Sequence, residues 1–170
     1  MKAIVIGATG AIGQDLVKTL LYDDRYETVT TFTRRPLGFT HPKIQSFIVD
    51  FNLPDTWHHL VQGDVLFSAL GTSLKQAGSK EAQYRVDHNY QLSFARAAKE
   101  NGVPHMVLVS SVGADSSSRF FYLQLKGLIE KDVEALQFPS LTILRPPSLI
   151  RKHAKRPAET VSVKLLQLAS

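Results

Sequence analysis

Tyr122 and Lys126 stand four residues apart. On a helix that spacing puts both side chains on one face, with Cβ atoms about 5–6 Å apart. An ammonium beside a phenol lowers the phenol's pKa from its free value of about 10. Such a tyrosine can exchange a proton with a carbonyl or alcohol oxygen while hydride moves to or from a nicotinamide. The lysine can also hold a cofactor ribose. Upstream, Ser110 and Ser111 close an apolar run at 105–109, and a serine hydroxyl there can hydrogen-bond the substrate oxygen. A Y-x-x-x-K pair alone equally describes a half-buried tyrosine beside a solvated lysine, so its meaning depends on what surrounds it.

The chain opens on Gly7-Ala8-Thr9-Gly10-Ala11-Ile12-Gly13, between a short apolar run at 3–6 and a segment with Ile12, Leu16, Val17 and Leu20 at helical spacing. A strand-to-helix turn with three glycines is what a pyrophosphate needs to rest on a helix N-terminus. One glycine makes the tight turn, one admits the phosphate to the backbone, and one lets helix and strand pack closely. About twenty residues on, where an acidic residue would hold an NAD ribose, the chain reads Thr33-Arg34-Arg35-Pro36. Two guanidiniums and no carboxylate suit the 2′-phosphate of NADP, since a planar fork donates two parallel hydrogen bonds. NADP(H) is therefore expected ahead of NAD(H). Asp50 is placed either to approach the adenine amino group or to cap a turn. The small residues around Ala69, Leu70 and Gly71 would let backbone run close beneath the cofactor ribose.

The elements that must position these groups alternate along the chain. Strands are expected at 3–6, 28–33, 44–49, 64–70, 105–109 and 140–144, and long helices at 80–99 and 120–136, the first ending at Asn101-Gly102. Strands separated by helices imply right-handed crossovers and a parallel sheet covered on both faces. The expected fold is thus a single-domain α/β Rossmann-type doubly wound sheet over 1–170, with a basic tail at 151–156, a short helix at 161–168 and a reduced C-terminal substrate lobe. The 170 residues, 44% hydrophobic and 21% charged, fit one soluble globular domain. No cysteine is present, which excludes disulfides and thiol catalysis and fits a reducing compartment. The net charge of +5 comes largely from the cluster Arg151, Lys152, Lys155 and Arg156, which has no interleaved aromatics. Neither a nucleic-acid nor a membrane partner is expected. His58 and His59 are adjacent and point apart, so no metal is expected; Asn89 is a weak candidate for a proton relay.

Taken together, these motifs resemble the atypical short-chain dehydrogenase/reductases, near the Tat-interacting-protein-like NAD(P)-binding oxidoreductase group. The likeness is collinear over about residues 1–150. It also takes in Val86-Asp87-His88-Asn89-Tyr90, Ser110-Ser111-Val112-Gly113-Ala114-Asp115, Lys126-Gly127 and Leu144-Arg145-Pro146. The resemblance implies NADPH at the glycine turn and at Arg34 and Arg35, Tyr122 as acid/base with Lys126 as its partner, and Arg145 and Pro146 flanking the nicotinamide. Pro147 departs from the glycine usual after that pair, and members of the group run on past this point with a substrate lobe. Two functions follow as expectations: an NADP(H)-dependent oxidoreductase acting on a small carbonyl, or a non-catalytic NADP(H) redox sensor that works through a protein partner. A cytoplasmic monomer or homodimer is expected.

Overall fold

The computed structural model describes residues 1–147. The basic cluster at 151–156 and the helix expected at 161–168 lie outside the described residues. Six strands form one parallel sheet: β1 (Lys2–Ile6), β2 (Thr28–Thr33), β3 (Ile44–Ile48), β4 (Val65–Ser68), β5 (His105–Val109) and β6 (Ser140–Leu144), in the order β3-β2-β1-β4-β5-β6. The central strands are continuous apolar or β-branched runs because both sheet faces are covered. Ala3, Ile4, Val5 and Ile6 of β1 are fully buried.

The chain order reverses between β1 and β4. Ile6 stands opposite Phe32 on one side and Ser68 on the other, so the strands end level and their exit loops converge at one edge. Ligands of such sheets lie at that edge.

Helix α1 (Ala11–Leu21) covers one face, where Val17 and Leu20 pack with Ala3, Val5, Val29 and Val65. The other face holds the larger core. There Ile4, Ile6, Phe32, Leu66 and Met106 meet Phe94, Ile129 and Val133, each side chain contributing about 1.5–3 kcal/mol on burial. Trp57 stacks on Phe94, with ring centroids 3.9 Å apart and planes within 9°, and its indole N–H donates to the Asp50 carbonyl at 3.0 Å.

Connections differ from strict strand–helix alternation. A loop joins β2 to β3, and two tight turns at Pro54–Thr56 and His58–Leu60 are the helical content between β3 and β4. After the short α2 (Leu74–Ala77), the expected helix at 80–99 is three pieces in one rod: α3 (Lys80–Tyr84), a π segment (Arg85–Tyr90) and α4 (Gln91–Glu100). Ser79 caps its start by accepting from the Ala82 N–H at 3.1 Å, and Asn101-Gly102 end it as expected. The wider π turn shifts the helical register and leaves Gln83, Asp87 and Gln91 all buried. Helix α5 (Phe121–Glu134) leads into β6.

Candidate functional site

The glycine turn sits where β1 meets α1. Gly7 has φ +83°, and a Cβ there would stand 2.5 Å from the Ala69 carbonyl. That close approach locks the β1 and β4 exit loops together, and only glycine meets both conditions. Gly13 does not line a cavity; a side chain on it would collide with the Gly7 carbonyl, so its role is close helix–strand packing. At Gly10, in contrast, a Cβ meets only the Gly7 oxygen at 3.2 Å, leaving the turn open toward solvent.

Two cavities flank this turn. The smaller, about 320 Å³, is bordered by Gly7, Ala8, Thr9, Phe32, Arg34, Arg35 and Leu70. Thr33 also borders it, and its buried Oγ1 makes no hydrogen bond. A buried hydroxyl without a partner costs about 1–3 kcal/mol. The larger cavity, about 600 Å³, runs from Gly10, Ala11 and Ile12 to Ser110, Ser111, Tyr122, Lys126 and Pro146. Its floor is the β4 exit, Ala69 to Thr72.

Asp87 organises that larger cavity, and the sequence reading gave it no role. It is 1% exposed and Lys126 is 4% exposed. Their Oδ1 and Nζ atoms lie 3.6 Å apart, while Lys126 donates to the Val109 carbonyl at 3.4 Å. The other Asp87 oxygen accepts from the Thr72 N–H at 2.9 Å, tying the β4 exit to the helix. Burial pushes the Asp87 carboxyl up and the Lys126 ammonium down, and each draws the other partway back.

The Tyr122 phenol is raised above its ordinary range, first by burial and further by the Asp87 charge, against the pull of the Ser111 hydroxyl. The expected lowering by Lys126 is thus not what this geometry gives. The first physical reason is burial of the phenol, with the Asp87 charge adding to it. At neutral pH the phenol holds its proton.

Several expected contacts take other partners. Arg145 forks onto Glu130 at 3.0 and 2.6 Å, so its guanidinium anchors the β6 exit to α5 rather than facing the cavity, where Pro146 and Pro147 stand instead. Burial raises the Glu130 carboxyl, but Arg145 and then the Ser110 hydroxyl outweigh it and the carboxyl is lowered. Asp50 caps its own turn, its Oδ1 accepting from the Asn52 N–H and side chain at 2.9 Å each, which is the turn-capping contact of its two readings. Asn89 is exposed and touches the His88 ring at 3.0 Å, away from the cavity. The signal for Asp87 was present as a polar stripe, Gln83, Asp87 and Gln91, on the same helical side as the core residue Phe94.

Against known proteins, residues 7–165 match the family model described as NAD(P)H-binding. The chain belongs to that NAD(P)H-binding family and is of the atypical short-chain dehydrogenase/reductase type. Protein HTATIP2 of Rattus norvegicus is 39% identical over 168 residues, 96% of this chain and 69% of that protein. Protein FMP52, mitochondrial, of Debaryomyces hansenii is 38% identical over 162 residues, 91% of this chain and 70% of that protein. Among solved structures, the Lactococcus lactis oxidoreductase ylbE aligns with a TM-score of 0.73 at 18% identity, over 98% of this chain and 85% of that one. The Bordetella bronchiseptica enzyme WbmH in complex with NAD+ aligns at 0.78 and 14% identity, over 99% of this chain and 63% of that one. These two likenesses concern the fold. The FMP52 relatives are named as mitochondrial, which corrects the cytoplasmic expectation. A cysteine-free composition suits a reducing compartment and does not tell one such compartment from another.

Proposed function

We propose that this protein is an NADPH-dependent reductase of small carbonyl compounds, with Tyr122 as proton donor. The observation that carries the reading is convergence. Tyr122, Ser111 and Lys126 share a wall of the 600 Å³ cavity whose other end is the glycine turn. NADPH supplies the hydride when bound. The turn at Gly7 to Gly13 would hold its pyrophosphate on the α1 N-terminus. Arg34 and Arg35 would hold the 2′-phosphate, Leu70 and Gly71 the ribose, and Pro146 the nicotinamide side.

The chain's own residues manage the proton. The Tyr122 hydroxyl carries its proton at neutral pH, as an ordinary phenol does, and is available to give it to a carbonyl oxygen as negative charge develops there; the upward shift makes it the weaker acid, which the Ser111 hydroxyl partly offsets. Ser111 Oγ adds a second donor to the same oxygen. Lys126 is fixed between Asp87 and the Val109 carbonyl, which holds its ammonium at the base of the cavity without a mobile counter-ion.

A second reading, a redox sensor that binds NADPH and reports it to a protein partner, draws on one feature: Asp87 offsets the charge with which Lys126 would activate the phenol. One experiment separates the two. NADPH oxidation is followed with a panel of small aldehydes, ketones and quinones, for wild type and Tyr122→Phe, alongside NADPH affinity. Turnover is expected to fall on the order of 10²–10⁴-fold with affinity little changed. A Tyr122→Phe variant that turns over at the wild-type rate would remove the tyrosine from the chemistry. Tight NADPH binding with no compound reduced would favour the sensor.

A further inference from the structure

The cavity beneath Tyr122 is bordered by two ammonium groups and one carboxylate, Lys80, Lys126 and Asp87. Asp87 answers Lys126 at 3.6 Å. Lys80 has no carboxylate within salt-bridge distance among the described residues. Its Nζ stands instead 5.4 Å from the ring centroid of Phe121, the residue before Tyr122. Of the charged groups lining the cavity, Lys126 is thus answered by Asp87, while Lys80 stands at the exposed end beside an aromatic face, its charge felt by the neighbouring Glu81 outside the lining.

Helix energetics does not call for a lysine there. Lys80 opens α3 directly after the Ser79 cap, and a cation in the first turn runs against the helix dipole. Glu81, the next residue, already supplies the favourable sign. The lining that Lys80 and Tyr122 share also includes Leu74 and Phe121, which suit an apolar or aromatic body. A few well-placed polar groups in an otherwise apolar cleft are what fix a ligand's orientation.

We propose that Lys80 anchors a carboxylate on the substrate, so that this site takes an aromatic or apolar carbonyl compound with an acid group remote from the reacting carbon. The proposal rests on the carbonyl-reductase reading for the identity of the reacting group, and on Lys80 alone for the acid. A lysine offers a compact point charge, suited to a carboxylate approached from one side.

The test uses 4-carboxybenzaldehyde and its neutral methyl ester. Their binding to the full chain with NADP+ present, so that no hydride can be transferred, is measured by calorimetry, and their reduction by NADPH oxidation. Wild type is expected to bind the acid at least about tenfold more tightly than the ester, the size of one charge-assisted hydrogen bond. In Lys80→Gln that ratio should fall close to one, and in Lys80→Glu it should invert. Equal binding of acid and ester by wild type, binding of neither, or an acid preference that survives Lys80→Gln would overturn the proposal. Lys80-dependent binding of the acid with no reduction would leave the anchor standing and sink the reductase reading instead.

Discussion

Lys126→Met exposes the energetics on which the site is built. Methionine replaces the lysine's aliphatic stem and removes only the charge. With an effective dielectric of about 20, unit charges 3.6 Å apart attract by about 4–5 kcal/mol. The variant loses that attraction but also sheds the burial cost of the ammonium. Breaking a buried pair from one side costs about 3–5 kcal/mol, so a loss of about 3 kcal/mol is expected at neutral pH. The sign with pH follows from Asp87. Its folded-state pKa already lies above the ordinary carboxyl value, and without Lys126 it rises further. A carboxyl raised in the folded state contributes stability that is fully present below its unfolded pKa and is lost as pH climbs through the folded one. The deficit of the variant should therefore be small near pH 4 and grow toward neutrality, by at most about 1.4 kcal/mol per pH unit. Urea unfolding followed by circular dichroism at pH 4.5, 5.5, 6.5 and 7.5 reads this directly. Asp87→Asn combined with Lys126→Met should recover much of the stability and flatten the profile. A deficit that is the same at every pH would refute the reasoning, because Asp87 would then not be the charge left behind.

Replacing Arg34 and Arg35 by alanine should weaken NADPH binding by tenfold or more, the worth of a charge-assisted contact of about 1.5–3 kcal/mol, while NADH affinity hardly moves; equal losses for both cofactors would contradict a 2′-phosphate site. Gly10→Val brings its Cβ to 3.2 Å from the Gly7 oxygen, a tight contact in which that carbonyl must give a little, so it should fold with a modestly lowered melting temperature and lose both cofactors in a fluorescence titration. Gly127→Ala is the opposite case: its Cβ would collide with the backbone of Asp115 and Ser116. It should lower stability by more than about 1 kcal/mol, the ordinary size of a point-mutation effect, as read in thermal melts.

The sheet was legible because each strand is a short apolar or β-branched run between turn residues; 28–33, 105–109 and 140–144 coincide with β2, β5 and β6. The glycine turn and the pairing of Tyr122 with Lys126 were legible for a similar reason, since spacing alone puts them at a strand exit and on a helix face. Asp87 was legible only as one member of a polar stripe with Gln83 and Gln91; nothing in the stripe says which member meets Lys126, and the π turn that carries it has no proline or glycine to mark it. Arg145 was misplaced because its partner, Glu130, lies on another element, and long-range ion pairs leave no local pattern. Asp50 obeyed the commoner rule that an aspartate caps the turn it starts.

The stacked ring pair in the core has a practical corollary. Trp57 is the sole tryptophan of the chain, is fully buried, and lies 6.5 Å by ring centroid from Phe32, a residue of the smaller cavity's lining. Indole emission overlaps the absorption of a reduced nicotinamide but not of an oxidised one. If NADPH binds as proposed, with its nicotinamide in the larger cavity, the protein carries its own optical gauge of cofactor redox state: NADPH should dim Trp57 by energy transfer, whereas NADP+ should leave it bright, with no label attached.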